Sequence, residues 1–346
     1  MTLLKTLRAP VSGSDLPAQA DGAPVLGGKQ KAGLVTLIVV ALALVPFLVD
    51  QVSLGKLQIV MYYTVAIMAL TILTGRLGQI SIGHGVYMGI GAYATIIANG
   101  HGVSWWFSLF LAVILAGVVG AVISLPALRI SGLNLALVTL GVAVVFPQLI
   151  VKFSDQTGGA TGLAAASYLP GPANITRVVW SYWVLLAVTV VCCVLAWTFV
   201  TSRTGRSLSM IRDQPIAAGT LGINNPGTKV CVYAGTAALA GIAGWMFAVV
   251  NNFAAPSDFM LALSINLVIG MIVGGATGNI VVGPVIGAVF LVYTRDAVPG
   301  LGLDPILTPV VYGSILILVI FLLPGGAASA LSKLVPTVTR RVRAPK

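Results

Sequence analysis

The chain has 346 residues, 58% of them hydrophobic and 8% charged, with a mean hydropathy of +1.03. A soluble domain is about a quarter charged, so a soluble globular fold is excluded, and several apolar runs reach the roughly 20 residues that cross a bilayer. The net charge of +11 does not indicate nucleic acid, because the basic residues lie between apolar runs and at both ends, as the positive-inside rule places them. All eight acids are Asp, and none lies in the middle of an apolar run. Cys192, Cys193 and Cys231 sit in or beside apolar segments and read as unreactive thiols rather than a disulfide framework.

The expected fold is all-α, a polytopic transmembrane bundle of about eight to ten membrane segments. Residues 1–33, with Pro10, Pro17, Pro24, Lys5, Arg8, Lys29 and Lys31, read as a disordered cytoplasmic tail. A membrane domain follows at 34–326. Its expected crossings are Leu34–Val49, Leu57–Leu73, Gln79–Ala98, Trp105–Leu125, Leu133–Val151 and Val178–Val200, then Val230–Val250, Phe259–Val273, Ile280–Thr294 and Ile306–Leu323. Trp105 and Trp106 suit an interfacial belt. Residues 152–177 form a polar outside loop, and 201–229 carry Arg203, Arg206, Arg212 and Lys229, the densest internal basic cluster. With both tails and this loop inside, every basic turn except Lys56, Lys152, Arg177 and Arg295 falls on the cytoplasmic side. Arg340, Arg341, Arg343 and Lys346 belong to a basic cytoplasmic tail, 327–346, suited to anionic membrane lipid.

Two stretches carry chemistry. Gly78 to Tyr93 is nearly uncharged and glycine-rich, yet it holds Gln79, Ser81 and His84. Each interior Gly costs a helix about 0.8–1 kcal/mol relative to Ala, and irregular backbone at membrane depth survives only against protein or a wet cavity. The stretch reads either as a broken segment beside a translocation pathway or as a close glycine helix crossing. Gly78-Gln79-Ile80-Ser81-Ile82-Gly83 is echoed by Gly278-Asn279-Ile280-Val281-Val282-Gly283, with Gly75 and Gly275 at the same spacing. The second stretch is the longest cytoplasmic loop, 203–228. There Asp213 is placed to cap a short helix with Pro215 in its first turn. Ile216, Ala217 and Ala218 supply a small, smooth displayed face, and Gly222 a stop.

No Gly-x4-Gly-Lys-Ser/Thr loop occurs, so the chain carries no phosphate loop of its own. Nor does the sequence show paired carboxylates, a nucleophile elbow or a metal-spaced cluster, His84 and His101 standing apart. No cofactor, metal or enzymatic activity is expected. An ion-coupled secondary transporter would place ionisable groups inside the membrane, and a membrane-embedded enzyme would need a catalytic set.

The motif order is recognisable. Gly78-Gln79-Ile80-Ser81-Ile82-Gly83-His84-Gly85 with Gly89-Ile90-Gly91-Ala92-Tyr93 resembles a signature of branched-chain amino-acid ABC permeases. Leu128-Arg129-Ile130-Ser131-Gly132-Leu133 with Ala136 to Gly141, and Thr157-Gly158-Gly159 with Gly162-Leu163, are similar to the next ones. Gly205-Arg206 through Gly222-Ile223-Asn224 resembles the coupling loop, and Leu263-Ser264-Ile265, Gly274-Gly275 and Gly283-Pro284 the late signature. The likeness runs from about residue 57 to 323 and favours the M-type subunit. Pro215 and Gly219 stand where the family commonly has acids, as do Asn266 and Val144, and Asn134 replaces a common aromatic.

The resemblance implies an inner-membrane importer subunit working with a second, H-type permease, two ATP-binding subunits and an extracytoplasmic substrate-binding protein. It implies branched-chain amino acids as cargo, with urea, short amides or aromatic acids carried by near relatives. The pathway is then expected along Gln79, Ser81, His84, Asn134, Thr139, Asn266 and Asn279. ATPase coupling is expected at Arg212, Asp213, Ala217, Ala218 and Gly222.

Overall fold

The computed structural model describes residues 36–37, 39–129, 133–276 and 279–300, together with 310, 313–314 and 317–318. The expected tails and most of the last crossing lie outside these residues, as do residues 34, 35 and 38 of the first crossing, residues 130–132 and Gly278.

The protein is a multi-pass helical bundle. Among the described residues, helices long and apolar enough to cross a membrane are α1 (Gln51–Leu77), α3 (Trp105–Arg129), α4 (Leu133–Lys152), α6 (Arg177–Thr201) and α9 (Asn225–Asn251). Shorter apolar helices are α2 (His84–Gly100), α10 (Leu261–Gly274) and α11 (Val282–Gly300). A four-residue turn of helix, α5 (Ser154–Thr157), the amphipathic helix α7 (Arg203–Asp213) and the six-residue helix α8 (Pro215–Thr220) complete the order.

Helix α1 is the centre of the bundle. It starts earlier than its apolar run, because Asp50 accepts a hydrogen bond from the Ser53 N–H at 3.3 Å and so caps it ahead of the polar turn Gln51–Lys56. Leu70, Leu73, Met68 and Ile67 are fully buried along it, with α6, α9, α10 and α11 packed around. Gln58, also buried, donates to the Val178 carbonyl at 2.7 Å and the Ser181 hydroxyl at 3.0 Å, tying α1 to α6. Residues 39–44 are helical and end in a 3-10 turn, Val45–Phe47. Tyr182 and Trp183 of α6 donate to the carbonyls of Leu42 and Ala43 at 2.9 and 3.1 Å.

Helices α2, α3 and α9 pack closely because small residues face one another. Side chains at Gly91, Gly241 and Gly244 would run into the backbones of Gly241, Ala112 and Met88 respectively. Trp245 fills the end of this contact and donates to the Trp105 carbonyl at 2.9 Å. At the same end, the loop after α5 forms a two-residue antiparallel bridge, Leu163–Ala164 with Phe253–Ala254. Asn99 holds that loop by accepting from the Ser167 N–H and donating to its hydroxyl, both at 2.9 Å. The guanidinium of Arg177, one of the cations left outside by the expected topology, lies 4.2 Å from the centre of the Tyr168 ring.

Candidate functional site

The two readings of the glycine stretch divide at Gly83. Residues 78–83 are not helical, whereas His84–Gly100 is a regular helix whose glycines serve packing. Helix α1 closes at Gly78, whose φ of +71° is accessible to glycine at little cost. Its N–H returns to the Thr74 carbonyl at 3.0 Å. From there the chain rises between neighbouring helices rather than running along their rim. The Ile82 N–H donates to Thr139 Oγ1 at 3.0 Å, and Thr139 lies about 9 Å into α4 at 1.5 Å per residue from Leu133. Three residues on, the Gly85 N–H donates to Ser264 Oγ at 3.1 Å.

Ser81, His84, Thr139 and Ser264 are therefore brought together, all buried. Ser81 Oγ accepts from the Gly83 N–H at 3.3 Å and lies 3.2 Å from His84 Nδ1. Thr139 donates onward to the Ala136 carbonyl at 3.0 Å. The Tyr87 ring stands edge-on to the imidazole at 5.4 Å. His84 Nε2 and Gln79 Oε1 are buried without a hydrogen-bond partner. Buried polar atoms are nearly always paired, so the break and the first residue of α2 hold two polar groups that another arrangement of the chain, water or a polar solute would satisfy. The other expected pathway residues stand apart. Asn134 is exposed near the start of α4, and Asn266 is half-buried on α10, two residues past Ser264. Asn279 is exposed, and its Oδ1 accepts from the N–H groups of Val281 and Val282 at 3.0 and 3.3 Å, leading into α11.

The second part of the site is the helix pair α7–α8, at the end of the bundle that carries Arg203, Arg206 and Arg212. Helix α7 buries Leu208 and Ile211 against α1 and α6. Helix α8 begins at Pro215, as expected, but Asp213 does not cap it. The residue before a proline is pushed out of the helical region, so Gln214 (φ −146°, ψ 76°) takes the N-cap position and Asp213 stays in α7. Its carboxylate accepts from Arg212 Nε at 2.8 Å. Gly222 is the stop: at φ +80° it follows the C-cap Leu221. Its N–H reaches the Gly219 carbonyl and that of Ile223 the Ala218 carbonyl, both at 3.1 Å, the paired closure of a Schellman turn.

One expectation about this loop is corrected. Ala217 is displayed, but Ala218 is fully buried beneath α8. What the helix presents outward is Ile216, 85% exposed, and Leu221, 67% exposed. Sequence reasoning placed Ile216 in a small, smooth face and missed Leu221, because alanine at adjacent positions gives no indication of which side faces in. It also passed over Ser264 as a site residue, although the Leu263-Ser264-Ile265 run was noticed. No group of three or more His, Cys, Asp or Glu able to hold a metal occurs among the described residues.

The model of the family described as branched-chain amino acid transport system, permease component, matches residues 53–320. The chain belongs to that family. The matched span takes in α1 to α11 and thus both the break and the α7–α8 pair. This branched-chain amino-acid permease is also similar to the high-affinity branched-chain amino acid transport system permease proteins LivM of Salmonella typhimurium and Escherichia coli K12. The identities are 29% and 28% over 309 aligned residues, 81% of this chain and 70% of each relative. No solved structure matches it.

Proposed function

We propose that the chain is the membrane-spanning permease subunit of an ABC importer that moves branched-chain or related amino acids inward. ATP is hydrolysed on two partner subunits, a second permease of the H type completes the channel, and an extracytoplasmic binding protein delivers the solute. Family membership supports the cargo class and the transport role. The similar LivM proteins, named as permeases of a high-affinity transport system, support the need for further subunits. In this reading the protein sits in a bacterial inner membrane with both tails and the α7–α8 pair cytoplasmic.

The observation that carries the proposal is the α7–α8 pair. It is a short helix, closed at its C-terminal end by the Schellman turn and raised on an amphipathic one, and it turns Ile216 and Leu221 outward. Exposed apolar side chains on a rigid two-turn helix are suited to fill a groove on an ATPase, with Arg212, Asp213, Ala217, Ala218 and Gly222 holding the shape. The solute would pass the break, where Gln79, Ser81, His84 and Thr139 offer neutral polar groups, and continue past Asn134, Asn266 and Asn279. Ile216→Asp tests it in the complete complex reconstituted in liposomes. ATP-driven leucine uptake should fall roughly thirty-fold, the scale of removing an interface hot spot worth about 2 kcal/mol. Parental uptake by an assembled Ile216→Asp complex would refute the docking role.

A further inference from the structure

Arg212 makes contacts that a residue waiting for an ATPase would not need. Its Nη1 donates to the Gly75 carbonyl at 2.7 Å, across 137 residues of sequence. Gly75 lies in the last turn of α1, where carbonyls have no partner within the helix, and a cation is favoured there by the helix dipole. The aliphatic stem of Arg212 lies on Gly78, so closely that a Cβ at that glycine would stand 2.5 Å from Arg212 Cγ. Nε donates meanwhile to Asp213 at 2.8 Å, so the planar fork is fixed from two directions. A lysine has no such fork.

We propose that Arg212 is a positioning residue, a strut that carries movement of α7 and α8 into the break at 78–83. The inference rests on the reading of α7–α8 as the ATPase-docking element and assigns Arg212 to the inner side of that element. Leu208 and Ile211 supply the apolar half of the joint, and Arg212 the directional half. Beyond it the path is continuous. Gly75 and Gly78 end α1, and Gly78 turns the chain into Gln79–Gly83. Ser81 then meets His84, and Ile82 meets Thr139 of α4. A shift of α7 that draws Arg212 away leaves the Gly75 carbonyl unpaired and exposes Gly78, loosening the segment that holds the unpartnered Gln79 oxygen and leads into His84.

The test uses the whole complex in liposomes, with Cys192, Cys193 and Cys231 replaced by alanine and Ile80→Cys as a thiol reporter. Ile80 lies on the break, is 46% exposed and takes no part in its hydrogen bonds. Arg212→Ala should lower solute moved per ATP hydrolysed about ten-fold, the scale of losing one hydrogen bond from a charged donor. Arg212→Lys should fall between, and ATP should cease to change the labelling rate of Ile80→Cys. The strut is refuted if solute per ATP is unchanged, or if uptake and hydrolysis fall in parallel. If Arg212→Ala does not assemble, Arg212→Lys carries the same comparison. Ile216→Asp assayed alongside separates the two ideas. Normal coupling in that variant sinks the docking reading, whereas lost coupling there with normal coupling in Arg212→Ala sinks only the strut.

Discussion

At Gly78 the chain leaves α1 and stays irregular through Gly83; at Gly275 it leaves α10 and is helical again at Val282. The two passages are spelled alike, yet Gly75 is buried within the last turn of α1, three residues before its cap, whereas its counterpart Gly275 is itself the cap of α10 at φ +94°. Around the second passage, α10 and α11 fold back on one another glycine against glycine. Gly274 meets the Gly283 backbone and Gly287 the Gly270 backbone. Around the first, α1 and α2 barely touch, and the irregular residues bond back to α1 and across to α4, while α2 bonds to α10. One glycine pattern can thus close a hairpin or carry an irregular passage between other helices, depending on what the flanking helices pack against.

Three substitutions can break this contrast, taken from the largest expected effect. Gly287→Leu forces a branched side chain into the Gly270 backbone and should cost about 3 kcal/mol or more, read as loss of monodisperse protein in detergent. A Gly287→Leu protein that melts with the parent would show that the hairpin is not closed by glycine contact. Ser264→Ala acts on the open passage: it removes the acceptor of the buried Gly85 N–H and should cost about 2 kcal/mol. Thermal unfolding measures that, and an unchanged melting temperature would mean that α2 is not held by α10. The smallest effect is expected from Asn279→Ala. It deletes the side-chain oxygen that accepts two N–H groups leading into α11 and should cost about 1 kcal/mol in the same assay.

The helical class and most helix centres were legible, because long apolar runs and basic turns leave a membrane chain few alternatives. Boundaries were less so. The apolar run points to Leu57, but the Asp50 cap extends α1 back to Gln51. The glycine stretch could not show from its own residues where the break ends and the helix begins, because that depends on Thr139 and Ser264, far away in sequence. Asp213 looked like a cap until the steric demand of Pro215 on Gln214 is considered, a local rule the sequence did contain. The inward turn of Ala218 was not legible at all, since it follows from how α8 settles on the bundle. Arg212 shows the same limit, for nothing near it in sequence names the Gly75 carbonyl.

The anchoring of residues 39–44 has a consequence for how the protein is made. The carbonyls of Leu42 and Ala43 take their hydrogen bonds from Tyr182 and Trp183, each 140 residues further along the chain. At a synthesis rate of about 5–20 residues per second, these carbonyls emerge about 7–28 s before the groups that satisfy them. The Gly85 N–H waits longer still, since Ser264 follows it by 179 residues. During biogenesis the early helices must therefore be chaperoned by the insertion machinery or by lipid and water at the interface. A translational pause placed before α6 would lengthen the interval in which the nascent chain is open to proteolysis.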